Sequence, residues 1–383
     1  MLDSLNGGPY KSKPLLSITE SNMAKRKRAQ PGVNTATIKP ARIQRLLVRA
    51  TNWIGDAVMT TPAIRSIRRA FPGARITLLA KPWVVPIFAH SPHLDRCLVY
   101  DVQGRHRGIA GRWRLVRDLR AGRFQAAILL QNAFEAALIT AAAGIPVRIG
   151  FDTDGRRLLL THPLRRPPGI RKRHQTEYYL AILAGIGLPA GDARLEIPLA
   201  EADRRRAVHR LTAAGIAPGA PLVGLNPSAT FGPAKQWPEE RYAALGDWIA
   251  EQYGARVLVF GGPGDQALGQ RIAGAMRRPA VSLAGRTDLA EAMALIGMLD
   301  LFVTNDSGLM HVAAALDVPQ IAVFGSTNPV TTGPLAPRSR VVRTDVACSP
   351  CLKPHCRYGH LDCMQRIGVE RLQREVAAIL GPS

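Results

Sequence analysis

The stretch Leu301-Phe302-Val303-Thr304-Asn305-Asp306-Ser307-Gly308-Leu309-Met310-His311 reads as a short apolar strand, a tight turn and, with no linker, the start of a helix over 309–316. A strand that feeds a helix so directly is half of a β-α-β unit, whose strands lie parallel and are covered on both faces. The alternation continues outward in both directions. Downstream come a strand at 321–324 and a last helix at 369–380; upstream, strands at 222–225, 257–260 and 281–283 alternate with helices at 239–253, 266–276 and 289–299. Residues 170–217 read as polar and helical. Before them a second series appears, with strands at 46–48, 76–79, 97–100 and 127–130 and helices at 57–70, 84–89 and 134–143. The expected fold class is α/β: two Rossmann-like, doubly wound domains over 42–205 and 206–383, preceded by a flexible basic tail over 1–41. In such sheets ligands bind beyond the carboxyl ends of the strands, so the cleft between the domains is the expected site.

The composition agrees with two ordinary globular domains: 383 residues, 46% hydrophobic and 21% charged. This excludes a disordered chain, a collagen-like repeat and a disulfide-dense miniprotein. The charge is less ordinary, a formal +23. The tail holds seven basic residues against Asp3 and Glu20, a net +5, so +18 belongs to the body. A balance this basic points to an anionic partner. The longest apolar stretch, 126–147, is broken by Gln131, Asn132 and Glu135 and reads as a strand and an Ala-rich helix, not a membrane span. The segment 14–18 is too short for a signal-peptide core. A cytoplasmic protein is therefore expected, peripheral to an anionic membrane surface through its Lys and Arg.

Three loops carry candidate chemistry. After the first strand, Thr51-Asn52-Trp53-Ile54-Gly55-Asp56 places a carboxylate where a helix begins; Asp56 is there either a helix N-cap or a general base facing the cleft. After the strand at 222–225, Asn226-Pro227-Ser228-Ala229-Thr230-Phe231-Gly232-Pro233-Ala234-Lys235 offers hydroxyls, free amides and one ammonium, a set suited to phosphate or an ordinary solvated loop. After Val303, the free N–H groups of Ser307, Gly308 and Leu309 face the cleft at the positive end of a helix. Two anion-suited loops in one half of the chain make a diphosphate more credible than either alone.

Cys348, Cys351, Cys356 and Cys363 follow the compact spacing C-x2-C-x4-C-x6-C. In a reducing compartment such a cluster more often binds metal than forms disulfides. A structural Zn or Fe site, reduced thiols and disulfides are all open on this evidence. Asp152-Thr153-Asp154 has a metal-binding look but sits in a polar turn, and Gly261-Gly262-Pro263-Gly264-Asp265 lacks nucleotide-loop spacing and reads as only a turn. The basic runs at 105–107, 112–114 and 171–174 accompany no nucleic-acid recognition motif, so no specific nucleic-acid partner is expected.

Together the three loops resemble glycosyltransferase family 9, the ADP-heptose:lipopolysaccharide heptosyltransferases. The matching stretches are 50–56, 226–238 through Lys235-Gln236-Trp237-Pro238, and 303–315, and the likeness runs from about Arg45 to the carboxyl terminus. The resemblance implies a GT-B architecture, with the acceptor on the first domain, the nucleotide sugar on the second, and a final helix crossing back to the first. It implies an inverting transfer of heptose from ADP-L-glycero-D-manno-heptose to the first heptose of the lipopolysaccharide inner core, needing no cofactor for catalysis. By position, Asp56 matches the catalytic base. Lys235 matches a phosphate-binding lysine, and Asp306, Ser307, Gly308, Leu309 and His311 the nucleotide-sugar loop, with Thr230, Gly285 and Thr287 nearby. The basic tail and the cysteine cluster depart from the familiar pattern, and the cluster keeps a protein acceptor open. First-heptose transfer to Kdo-lipid A is the other same-class alternative. The alternative of another class is a non-catalytic basic protein that binds nucleic acid or membrane.

Overall fold

Why the chain alternates as it does is clearest in its first strand. In Arg45-Leu46-Leu47-Val48-Arg49 the last four residues are all buried, and their side chains divide between two cores. Leu46 and Val48 join one apolar cluster, while Leu47 joins another with Leu115 and Leu119 on the opposite face. That is the period-2 signature of a strand covered on both sides. The computed structural model describes residues 38–217 and 219–381.

The first sheet consists of β1 (Arg45–Arg49), β2 (Arg75–Ala80), β3 (Arg96–Val99), β4 (Ala126–Leu129), β5 (Val147–Phe151) and β6 (His162–Leu164). Their order is β3-β2-β1-β4-β5-β6, all parallel. The second sheet consists of β7 (Leu222–Asn226), β8 (Arg256–Val259), β9 (Ala280–Ser282), β10 (Leu301–Asn305), β11 (Gln320–Phe324) and β12 (Ser339–Arg343). Its order, β12-β11-β10-β7-β8-β9, is the same doubly wound pattern, again all parallel. The strand order reverses between β1 and β4 and between β7 and β10, and those switch points open the crevices where such sheets bind ligands. This is the two-sheet GT-B arrangement.

Several elements differ from the sequence reading, each for a local reason. The helix expected over 57–70 is two helices, Ile54–Met59 and Thr61–Ala70. Pro62 has no N–H to return to the Val58 carbonyl, and the Thr61 hydroxyl donates to that carbonyl instead, at 2.9 Å. The basic run around Arg112 is part of a regular helix, Gly108–Ala121. Strands β5, β6 and β12 were not expected; they lie toward the outer edges of the sheets, where polar residues interrupt the apolar run.

The tail expected over 1–41 lies outside the described residues up to position 37. From there Ile38 is buried and Pro40–Arg42 forms a 3-10 turn, so regular structure starts slightly earlier than expected. The boundary expected at 205/206 falls inside helix Glu201–Ala213, which packs on Leu289–Ile296 beside the second sheet. The final helix Val369–Leu380 does not make the expected return to the first domain. It packs on Glu239–Tyr253, β10 and β11, because Leu372 and Val376 are buried in the second domain's outer core.

The domains are joined through the inner cluster, which includes Phe260, Phe302 and Val312 of the second sheet's layer with Leu46 and Val58 of the first. The helices Ile54–Met59 and Gly308–Ala315 meet at this junction. Two glycines allow it. A Cβ on Gly308 would stand 2.9 Å from Ile54 Cβ, and one on Gly55 would stand 2.9 Å from His311 Cδ2. Both contacts are closer than packed side chains tolerate.

Candidate active site

The helix junction sets the geometry of the site. Asp56 lies in the first turn of helix Ile54–Met59, just beyond the carboxyl end of β1. Its carboxylate accepts a hydrogen bond at 2.9 Å from the Tyr179 hydroxyl, carried by helix Gln175–Gly185. Burial pushes the Asp56 carboxyl above the usual carboxylate range, while the Tyr179 hydrogen bond and the Lys235 charge pull it partly back. A carboxylate whose pKa burial has raised is a stronger base than a free one, the direction a general base requires. Asp56 makes no N-cap bond; no side-chain cap is formed at this helix.

Tyr179 gives the first testable consequence. Its hydrogen bond holds Asp56 lower than burial alone would. Tyr179→Phe therefore raises the Asp56 pKa, and since the base must be ionised, the acidic limb of the kcat–pH profile moves to higher pH. An unmoved limb would show that Tyr179 does not tune Asp56.

On the other side of the junction, Lys235 forms an ion pair with Asp306, Nζ to Oδ2 at 2.6 Å. Asp306 is buried and also accepts from the Thr327 hydroxyl at 2.6 Å. A lone carboxylate would repel a diphosphate, but here it is neutralised by Lys235 and fixes that side chain. The Phe231 ring lies under the ammonium, 4.9 Å from ring centroid to Nζ.

Beside this junction, walled by Ile54 and Gly55 on one helix and Ser307, Gly308 and Leu309 on the other, lies a cleft of about 840 Å³. Thr230, Thr287, Ser307, Gly308 and Leu309 line it, together with Trp53 and Gly55 from the first domain. Ser307 caps helix Gly308–Ala315, its hydroxyl accepting from Met310 N–H at 3.4 Å. The first N–H groups of that helix have no carbonyl of their own helix to bond.

Not every expected residue lies on the cleft wall: Asp56, Lys235, Asp306, His311 and Gly285 are not among the residues that line it. His311 is packed behind Gly55, and burial holds its pKa at about 4, so at neutral pH it is an uncharged packing group rather than a phosphate-binding cation. Gly285 sits in the turn after β9 with φ +68°, a conformation glycine adopts without strain. The segment 261–265, read as only a turn, contributes to the cleft through Gly261, Gly262, Pro263 and Asp265. Its Asp265 accepts from the Ser228 hydroxyl at 2.7 Å, tying two donor-side loops together.

Asn226 opens the second candidate loop, and four further contributors, Thr327, Tyr179, Arg49 and Lys81, escaped the sequence reading. Asn226 donates to Thr304 and Ser307, each at 2.8 Å, bracing the turn before the helix. Thr327 and Tyr179 act on Asp306 and Asp56 across long sequence separations. Arg49 is fully enclosed at the end of β1 and holds cleft-lining Asn52 by a 2.9 Å hydrogen bond. Next to it, Lys81 stands 3.7 Å from the centroid of the Tyr100 ring, and burial with the Arg49 charge lowers its pKa to about 8. Asn226, Arg49 and Lys81 share a local signal, their place at a strand's carboxyl end, while Tyr179 and Thr327 had none.

The four clustered cysteines line a single separate cavity of about 580 Å³. All are free thiols, Cys363 buried and the other three partly exposed. Among the described residues, no three His, Cys, Asp or Glu side chains are drawn together closely enough to hold a metal ion. Asp152, in the other metal-like stretch, is paired with Arg157 at 3.2 Å. No helix among the described residues is long and apolar enough to cross a membrane.

Comparison with known proteins places this architecture. Lipopolysaccharide heptosyltransferase 2 of Escherichia coli K12 is 30% identical over 347 residues, covering 88% of this chain and 98% of that protein. The solved structure of E. coli ADP-heptose lps heptosyltransferase II superposes with a TM-score of 0.74 at 28% identity, over 88% of this chain and 98% of that one. A glycosyl transferase family 9 structure from Veillonella parvula gives a TM-score of 0.82 at 25% identity, over 91% and 99%. The family model described as glycosyltransferase family 9 (heptosyltransferase) matches residues 112–362, which hold β4–β6 of the first sheet, the whole second sheet and the donor-side loops. With its paired doubly wound sheets and the loops that meet between them, the chain belongs to glycosyltransferase family 9, the heptosyltransferases.

Proposed function

We propose that the chain transfers heptose from ADP-L-glycero-D-manno-heptose to the first heptose of the lipopolysaccharide inner core, inverting the anomeric centre. The observation that carries this reading is the approach of Asp56, held by Tyr179, to the charge of Lys235 and its partner Asp306 at the helix junction beside the cleft. The first domain takes the acceptor and the second the nucleotide sugar. Asp56 accepts the proton of an acceptor hydroxyl as that oxygen attacks the anomeric carbon, and ADP departs from the opposite face. A diphosphate leaves readily once its charge is met, so it needs no proton. Lys235 and the free N–H groups at Ser307 and Gly308 meet that charge. Thr230 and Thr287 line the donor side, and Arg49 and Lys81 place positive charge behind the acceptor wall.

The reaction places the enzyme in the cytoplasm, against the inner face of the membrane that carries its acceptor. Mass-spectrometric transfer from ADP-heptose tests the reading, with truncated cores bearing no heptose or one. Product on the one-heptose core alone is expected. Product on the heptose-free core alone would replace it with first-heptose transfer, and no product on either core would leave a different acceptor, such as a protein.

For the cysteines, which line one cavity but do not stand within metal-holding reach of one another, we propose that a structural Zn or Fe draws Cys348, Cys351, Cys356 and Cys363 together. All four face one cavity, and crowding with the other three raises the Cys363 thiol beyond the effect of burial. A thiophilic cation would relieve that crowding. The segment also braces the donor side: the Ala234 N–H donates to the Pro354 carbonyl at 3.0 Å, one residue from Lys235. Protein purified without chelators should carry close to one equivalent of metal, and a far smaller amount would overturn this assignment.

A further inference from the structure

The helices Gly108–Ala121 and Phe134–Ala142 lie side by side on the outer face of the first sheet. Arg112 Nε pairs with Glu135 Oε1 at 3.1 Å near their beginnings, and Arg120 Nη2 donates to the Ala142 carbonyl at 2.7 Å near their ends. Their inward residues, Leu115, Leu119, Ala137 and Ile139, fill the core beneath. The outward residues are not what a solvated helix pair presents. Ile109 is 75% exposed and Trp113 56%, one helical turn apart, while Phe134 and Leu138, also one turn apart, are 47% and 45% exposed. Scattered single apolar residues on a surface are ordinary, but four on two adjoining helices form a patch.

The surroundings of the patch say what it meets. Residues 105–123 hold seven arginines and one aspartate. Arg117 extends the Ile109–Trp113 stripe by another turn. Among the described residues, the side chains of Arg107, Arg117 and Arg123 form neither an ion pair nor a hydrogen bond. An indole and aliphatic side chains ringed by unpaired guanidinium groups suit the headgroup zone of an anionic bilayer, where tryptophan settles and each basic residue adds attraction. A purely polyanionic partner would use the arginines and leave the apolar residues without a role. Position agrees: both helices begin at the carboxyl edge of the first sheet, the edge where Trp53 and Trp83 form the cleft wall.

We propose that the surface formed by Ile109, Trp113, Phe134 and Leu138, with Arg117 on its stripe, docks the first domain onto an anionic lipid bilayer beside the cleft mouth. The inference rests on the reading of the acceptor as lipid-linked. Docking there would hold the first domain's end of the cleft against the headgroups from which such an acceptor projects.

The test is co-sedimentation of the full chain with vesicles of phosphatidylethanolamine and phosphatidylglycerol, and with phosphatidylcholine vesicles alone. The basic tail is the same in every variant, so differences between variants report the patch. The double variant Ile109→Ser/Trp113→Ser and the single Arg117→Glu should each bind the anionic vesicles about tenfold more weakly. Transfer to a delipidated, water-soluble core should stay at the wild-type rate in both, which also shows that they fold. Transfer to acceptor embedded in vesicles should fall with binding. Vesicle binding that the variants leave unchanged, or that is equal on neutral and anionic vesicles, overturns the proposal. So does a change confined to RNA binding, or a change in oligomeric mass in place of vesicle binding. Wild type that transfers to no soluble core but binds anionic vesicles in a patch-dependent way would instead refute the acceptor reading and leave the docking surface standing.

Discussion

Asp56→Asn abolishes all but a trace of turnover, a loss of about 10²–10⁴-fold, the range expected when a positioned general base is removed. The affinity for ADP-heptose stays near the wild-type level, because Asp56 accepts its hydrogen bond from Tyr179 and reaches Lys235 only through its charge, while Lys235 keeps its ion pair with Asp306. Stability separates lost chemistry from lost folding. Burial raises the Asp56 pKa in the folded state, so between the unfolded and folded values the native protein binds more protons. Its stability contribution therefore falls as pH rises through that window. The neutral amide escapes this penalty, so the variant should melt at or above the wild-type temperature at pH 7. Calorimetry, donor titration and a rate measurement on one preparation check all three statements. A variant with wild-type turnover would remove Asp56 from the mechanism.

The second large effect is expected at Lys235. Lys235→Ala should lower kcat by about 10²–10³-fold, as for loss of one donor to a developing negative charge. Unlike Asp56→Asn it should also weaken ADP-heptose binding, because the variant leaves the buried Asp306 carboxylate unpaired beside the incoming diphosphate. That coupling makes the two positions non-additive. Asp306→Asn, harmful on its own because it frees Lys235 from its anchor, should cost less or even restore donor affinity in the Lys235→Ala background. Strictly additive effects in the double-mutant cycle would mean that the ion pair does not organise the donor site.

The contrast between these two residues and their supports shows what was legible in the sequence. Asp56, Lys235 and the 306–309 turn each follow a strand, and a strand's end announces itself through a local change from apolar to small and polar residues. The two-sheet fold was legible for the same reason, since each buried strand is a short apolar run. Tyr179 was not legible: it acts on Asp56 from 123 residues away, inside a stretch that reads only as helical. Thr327 reaches Asp306 in the same manner. The helix Gly108–Ala121 was obscured because its exposed face mixes Ile109 and Trp113 with arginine, which blurs the helical period that its buried residues keep. The expected return of the last helix failed on a tertiary preference: its apolar stripe is periodic, but nothing in the period says which domain will bury it. His311 was assigned to the donor by its place in the motif, yet the close approach at Gly55 encloses it and leaves it neutral.

The proposed reaction is a single displacement in which the acceptor oxygen, deprotonated by Asp56, attacks the anomeric carbon opposite the departing ADP. The anomeric configuration of the purified transfer product, read by NMR beside that of the donor, tests it most directly. One product is expected, its new linkage of the anomeric configuration opposite to the donor's, with no such signal from Asp56→Asn under the same conditions. A linkage that retains the donor's configuration would contradict it, because retention requires two displacements or a departure and attack on the same face.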